Sequence, residues 1–264
     1  MADDLKHFSE ITLLITHYNR SLSLERLLKS FEEKHLSFYE IVVSDDCSNS
    51  EHTKNLKLYE ERYGIRLIRT EKNKGLANNI NKGQRAVKSL YTLYIQEDFI
   101  PTDKFSRSLS DGLTLIKEYP EIDLVRFYAY RKYPYLKPLK DEFSEMRFHF
   151  WYPNTYQFNC YSDHPHLRRS NFLQKFGNYQ EGIKSDRAEF KMVISFLQHK
   201  GKAIIHNDYR ELFIQENSSD EPSQVHRKKL RKQIQLSESF MIKIIRSLYR
   251  NIKFRIEYLF LKGG

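Results

Sequence analysis

Cysteine is nearly absent. Cys47 and Cys160 are the two in 264 residues, and this pair fits neither a disulfide framework nor a metal-ligand set, which favours a reducing compartment. Long apolar runs are missing as well: no uncharged stretch approaches the ~18 residues that cross a bilayer, which argues against an integral membrane protein. The opening residues, MADDLKHFSE, place acids where a secretory signal needs a basic and then an apolar stretch. These absences lead to the expectation of a cytoplasmic protein. A basic footprint on the folded body is also lacking. The net charge is +10, yet residues 225–264 hold eleven Lys or Arg against two Glu, or +9, which leaves +1 for residues 1–224. A nucleic-acid-binding domain carries its positive charge on the body, so no nucleic-acid partner is expected.

An apolar content of 40%, with 14% aromatics, is ample for a core and excludes global disorder. The length suits one large domain, or one domain with an appendage. Residues 11–16, 40–44, 65–69 and 91–96 read as short buried strands. Between them, Leu24, Leu27, Leu28 and Phe31 recur at helical spacing over 21–34, a polar helix runs to about 63, and 76–89 reads as a helix rich in Asn and Gly. Strand–helix alternation with short connections predicts an α/β fold, a mostly parallel sheet flanked by helices. Ligands bind such sheets at the carboxyl ends of the strands. The residues there are His17-Tyr18-Asn19, Asp45-Asp46 and Glu97-Asp98. Taken singly, Asp45 or Asp46 is explained as a helix N-cap and Glu97-Asp98 as solvated loop acids. Their order along one parallel sheet is what points to a site.

The turn after the first strand reads Thr16-His17-Tyr18-Asn19-Arg20 and leads into Leu24-Glu25-Arg26-Leu27-Leu28. The second strand ends in Asp45-Asp46-Cys47-Ser48, followed by Asn73-Lys74-Gly75 and Asn81-Lys82-Gly83, and the fourth runs into Gln96-Glu97-Asp98. This series resembles the nucleotide-sugar-dependent glycosyltransferases of family 2, which have the GT-A (Rossmann-like) fold. The likeness extends from about Ile11 to about Asp208 and is densest over 11–103. It implies a GT-A domain over 1–224, with a nucleotide-sugar-binding half (1–103) and an acceptor-side half (104–224).

The resemblance further implies roles. Asp45 or Asp46 would accept hydrogen bonds from the base or ribose, beside the turn that carries Thr16, Tyr18 and Asn19. Gly75 and the segment from Asn78 to Gly83 would let backbone approach the nucleotide near a helix start. Gln96 and Glu97 would face the donor, and Asp98 would hold Mn²⁺ or Mg²⁺ against the diphosphate, since these hard ions bind through one or two carboxylates plus phosphates. Gln96 stands where the family has Asp, and an alternative register puts Phe99 at the ligand position. For the general base, Asp186 and Glu189 both remain candidates, one helical turn apart, with Ser185 where an acid is usual. His206 would contact metal or diphosphate, or else be a structural residue at a strand end. Trp151 and His166, in Ser162-Asp163-His164-Pro165-His166, would lie on the acceptor side.

Thirteen of the 35 residues from Phe127 to Tyr161 are aromatic, forming an acceptor platform or packing a small subdomain. The tail opens with Arg227-Lys228-Lys229-Leu230-Arg231-Lys232. From Met241 onward apolar residues recur every three or four positions between basic ones, the pattern of an amphipathic helix that lies on an anionic membrane or packs on a protein. The expectation is therefore an inverting, metal-dependent transferase. It would move sugar from a nucleotide-diphosphate sugar to a glycan or lipid-linked acceptor in surface polysaccharide biosynthesis, at the inner face of a membrane. A catalytically silent nucleotide-sugar-binding module and a membrane-surface adaptor are the alternatives.

Overall fold

A computed structural model of the chain describes residues 5–216, 221 and 240–261. The aliphatic runs form strands β1 (Lys6–His17), β2 (Leu36–Asp45), β3 (Ile65–Arg69) and β4 (Tyr91–Gln96), joined in parallel in the order β3-β2-β1-β4. The sheet continues past β4 through β9 (His166–Arg169), β6 (Ile122–Arg126), β10 (Lys202–His206), β8 (Phe143–Met146) and β7 (Leu136–Lys140). Strands β9 and β8 are antiparallel to their neighbours and the other seven share one direction, so the expected mostly parallel sheet is present. A separate ribbon pairs β5 (Phe99–Pro101) with β11 (Phe213–Gln215).

Both faces of the sheet are covered, which is why its interior strands are apolar without alternation. Along β1, Leu13 and Ile15 enter one core and Leu14 the other. Helices α1 (Ser21–Glu33) and α4 (Phe105–Glu118) close the first core with Leu24, Leu27, Phe31, Phe105 and Leu109. Helix α2 (Ser50–Tyr63) buries only Leu56 and Tyr59, as its polar sequence implies, and ends at Gly64, whose φ of 63° is left-handed. The second core lies under α3 (Leu76–Ala86), the short α5 (Phe172–Phe176) and α6 (Ser185–Gln198). Helix α3 stops three residues before the sequence reading, because Val87 turns extended and its N–H bonds back to Gln84 O.

The chain closes with α7 (Phe240–Phe260). Phe254, Tyr258 and Leu261 pack against the second core. Arg187 pairs with Glu257 at 2.8 Å, and Gln198 Nε2 donates to Tyr258 O and Leu261 O at 2.7 Å each. The basic stretch 227–232 lies outside the described residues. Among the described residues, no helix is long and apolar enough to cross a membrane.

Where α3 crosses the sheet, a Cβ on Gly83 would sit 2.6 Å from Leu14 Cδ1 and 3.0 Å from Ser44 Cβ. The absent side chain sets the distance of the whole helix from β1 and β2. Gly83→Ala is expected to cost about 1–3 kcal/mol by overpacking, read as a lowered thermal midpoint. An unchanged midpoint would show that α3 has room to move outward.

Candidate active site at the carboxyl edge of the sheet

The strand register sets a row of polar residues along one edge. His17 lies opposite Asp45, Asp45 opposite Arg69, and Thr16 opposite Gln96. Asp45 is fully buried, and its carboxylate joins three strand ends. One oxygen accepts from His17 Nδ1 at 2.8 Å and from Ser48 Oγ, and the other from Ser48 N and Arg69 Nε at 3.0 Å each. Burial alone would raise its pKa. The hydrogen bonds from His17 and Ser48 outweigh that and hold it well below the usual carboxylate range. Because Arg20 N donates to His17 Nε2 at 3.2 Å, that nitrogen is the acceptor and the ring proton toward Asp45 is on Nδ1. Ser48 Oγ in turn accepts from Asn19 N at 2.8 Å, and Asn19 Oδ1 accepts from Asn49 N at 2.8 Å. Asn19 holds a left-handed φ of 50° in this turn. Thr16 Oγ1 bonds Tyr94 OH at 3.0 Å, and Tyr18 is half-buried.

Asp46 orders the neighbouring loop. Lys74 N and Gly75 N each donate to its carboxylate at 2.8 Å, and Gly75, at φ 84°, starts α3. Asn78 and Asn81 then tie α3 to Glu181, with Nδ2 donors at 2.7 and 2.9 Å, while Asn78 Oδ1 is buried without a partner. Lys82 Nζ donates to Asp45 O at 2.6 Å, and burial lowers its pKa to about 8.

At the end of β4, Gln96 is half-buried, and Glu97 and Asp98 are buried. Arg20 lies between the two acids, 3.0 Å from Glu97 Oε1 and 3.6 Å from Asp98 Oδ2. Burial first, and then the charge of Asp98, push Glu97 up to about 7. Gln215 Nε2 donates to Asp98 Oδ2 at 3.0 Å, whereas Asp98 Oδ1 is buried with no partner. Among the described residues, no three His, Cys, Asp or Glu side chains form a metal cluster. The open oxygen of Asp98 fits a hard cation that takes one protein carboxylate and completes its shell with phosphates.

Gln215 also accepts from Tyr130 OH at 2.6 Å, and Tyr130 lines a cavity of about 340 Å³. The cavity wall includes Arg126, Tyr133, Tyr161, His164, Asp186 and Glu189. Asp186 is exposed in the first turn of α6, and Glu189 is half-buried one turn on. Glu189 accepts from Asp163 N at 3.0 Å. Burial, followed by the charge of Asp163, pushes Glu189 up to about 8. Asp163 itself is raised to about 6 by burial, against the opposing bond from Tyr179 OH at 2.6 Å. Arg126 ends β6 on the same sheet edge, 2% exposed, and its guanidinium donates to Asn159 O, Tyr128 O and Ser162 Oγ.

Of the other residues singled out in the sequence, His206 and Trp151 lie apart from this group, whereas His166 starts β9 on the same edge, in register with Tyr94 and Arg126. His206 ends β10, three strands from β4, about 14 Å away at ordinary strand spacing. Its ring nitrogens face Ser108 Oγ at 3.2 Å and Asp208 N at 3.1 Å. His166 is fully buried between Tyr94 and Tyr161, and burial lowers its pKa well below the usual value, leaving it neutral. Trp151 is 73% exposed beside α7. The sequence reading missed Arg69, Gln215, Glu181 and Arg126 and gave Arg20 no role. Of these, Arg126 had a signal, a charged residue closing the buried strand Ile122–Arg126. Gln215 had none.

The sequence model of the family described as Glycosyl transferase family 2 matches residues 12–181. An uncharacterized glycosyltransferase of Haemophilus influenzae is 29% identical over 119 residues, 44% of this chain. The match spans 37% of that relative's length. In structure, the chain resembles residues 1–349 of TarS from S. aureus in complex with UDP-GlcNAc, with a TM-score of 0.60 and 15% identity over 96% of this chain and 76% of that one. It also resembles the mannosyltransferase PcManGT from Pyrobaculum calidifontis in complex with GDP-Man and Mn²⁺, with a TM-score of 0.59 and 13% identity over 98% of this chain and 72% of that one. At these identities the likeness shows the fold, which is GT-A.

Asp45→Asn is expected to cost on the order of 3 kcal/mol at neutral pH, because Arg69 loses its buried partner. The folded pKa of Asp45 lies below the unfolded one, so its stabilisation is complete above about pH 4 and is lost as pH falls toward the folded value. Denaturant unfolding of both proteins should therefore converge in acid. A gap that persists in acid would show that charge is not the stabilising feature.

Proposed function

The chain belongs to glycosyl transferase family 2, and on that premise we propose that it transfers a hexosyl or related sugar from a nucleotide-diphosphate sugar to a glycan acceptor. We take the acceptor to be lipid-linked, the reaction to invert the anomeric centre, and the product to enter surface polysaccharide biosynthesis at a membrane surface. One observation carries this reading. The open carboxylate oxygen of Asp98 is separated by a single bridging side chain, Gln215, from a cavity that holds two candidate bases.

The nucleotide would rest on Thr16, Tyr18, Asn19 and the loop that Asp46 holds before α3, with Asn78 Oδ1 open to a donor group. Its diphosphate would face Glu97, Asp98 and the Arg20 guanidinium between them. When bound at Asp98, Mn²⁺ or Mg²⁺ supplies Lewis-acid stabilisation to the departing nucleoside diphosphate. In the cavity, Asp186 or Glu189 would take the proton as the acceptor oxygen bonds to the anomeric carbon and the bond to the diphosphate oxygen breaks. The half-buried setting of Glu189 suits it: its pKa of about 8 makes its carboxylate a stronger base than an ordinary Glu. Gln96 and Ser185, which stand where the family has acids, favour a second reading as a silent nucleotide-sugar-binding module.

Release of nucleotide from UDP- and GDP-sugars, with Mn²⁺ and with chelator, tests the enzyme reading. UDP-GlcNAc and GDP-Man are the donors to try first, being bound by the TarS and PcManGT neighbours. Metal-dependent release from one donor is the expected outcome, and binding without turnover on any donor and acceptor would favour the silent module. Asp98→Asn should lower turnover by about 10²-fold or more. With Glu189 as base, only its ionised form accepts the proton, so kcat rises with pH through about 8. Glu189→Gln should remove that rise and about 10²-fold of the rate, while donor binding stays intact. Loss in Asp186→Asn alone would assign the base to Asp186.

A further inference from the structure

Helix α7 has two apolar faces. One packs on the second core through Phe254, Tyr258 and Leu261. The other carries Ile245, Leu248, Tyr249, Ile252, Ile256, Leu259 and Phe260, each between 51% and 77% exposed. Seven large apolar side chains on five turns are far more than the scattered exposures of an ordinary surface. Trp151 extends this face. The Arg255 guanidinium lies 5.2 Å from the Phe150 ring centre and 6.0 Å from that of Trp151, and donates to Phe150 O and Tyr152 O. The aromatic loop is thus fixed to the helix, with Trp151 held 73% exposed at its side.

We propose that this face docks on an anionic lipid bilayer. From Phe240 to Leu261 the sequence has five basic residues and one acid, and that acid, Glu257, is turned inward to Arg187. Arg246 and Lys253 flank the exposed stripe. A second copy of the chain would bring the same basic residues to this face and no outward acid to pair with them. An anionic headgroup layer complements the flanks, while the stripe and the Trp151 ring enter the acyl boundary. The location also bears on the acceptor. Arg131 lines the cavity and bonds the Tyr156 hydroxyl, and Arg250 of α7 lies 5.7 Å from the same ring centre. The covered side of α7 therefore adjoins the cavity that would receive a lipid-linked acceptor, so docking of the outer face would bring that cavity near the bilayer. That consequence rests on the proposed function, whereas the docking itself does not.

The test is co-sedimentation of the full chain with vesicles of equimolar phosphatidylcholine and phosphatidylglycerol, and with phosphatidylcholine alone, beside light scattering of the protein in solution. Binding to the anionic vesicles is expected, about tenfold or more weaker on neutral ones and in raised salt. Ile252→Ser with Ile256→Ser should weaken it about tenfold or more. Lys253→Glu, an exposed change with no packing consequence, should weaken only the anionic binding. Both variants should release donor nucleotide in solution as the parent does, so a failed transferase reading would show itself separately. Absence of vesicle binding, or equal binding by both variants, overturns the proposal. A dimer in solution that the double variant dissociates, without vesicle binding, would assign the face to a second copy.

Discussion

The buried carboxylate of Asp45 is the constraint from which the site is built. An ionised acid with no solvent exposure is costly unless its acceptor capacity is filled, and here it is filled by His17, Ser48 and Arg69 from three adjacent strands and their turns. Removing any one donor leaves charge in a dry interior, so the three strand ends move together or not at all. The turn at Asn19, the loop at Ser48 and the end of β3 take their positions from that requirement. Its neighbour Asp46 extends the order outward by holding two successive backbone amides before α3.

A second balance of charge governs the far side of the edge. Glu97 and Asp98 adjoin each other in the chain, and Arg20 between them reduces the repulsion without removing it, since Glu97 still stands near 7. Beyond Gln215, Asp163 and Glu189 repeat the situation, with Arg126 and Arg168 as the buried cations. Glu97, Asp163 and Glu189 are held at pKa values where a small change in environment alters their protonation. Groups poised in this way cluster at functional sites.

The aromatic stretch and the terminal helix divide their roles by exposure. Phe127, Tyr133, Phe143, Phe158 and Tyr161 are buried and pack the cores, whereas Trp151 lies outside beside α7. The same division runs through the helix, where Phe254 and Tyr258 seat it on the domain and the Ile-rich stripe faces away. One apolar face of the helix is thus covered and the other open.

The first four strands, their parallel arrangement and the polar residues at their ends were legible in the sequence. The reason is that burial on both faces demands continuous aliphatic runs, and the motifs at Thr16–Arg20, Asp45–Ser48 and Gln96–Asp98 follow those runs directly. Local patterns of this kind survive in one dimension. What only the tertiary structure decided was which polar groups meet. His206 ends a strand just as Asp98 follows one, yet the insertion of β9 and β6 separates them. Gln215 carries no local mark, and it reaches Asp98 only because β11 pairs with β5 across 117 positions of chain. Burial likewise set Glu189 apart from Asp186, the acid that the family resemblance places first, because desolvation depends on the whole packing around a side chain and not on its neighbours in the chain.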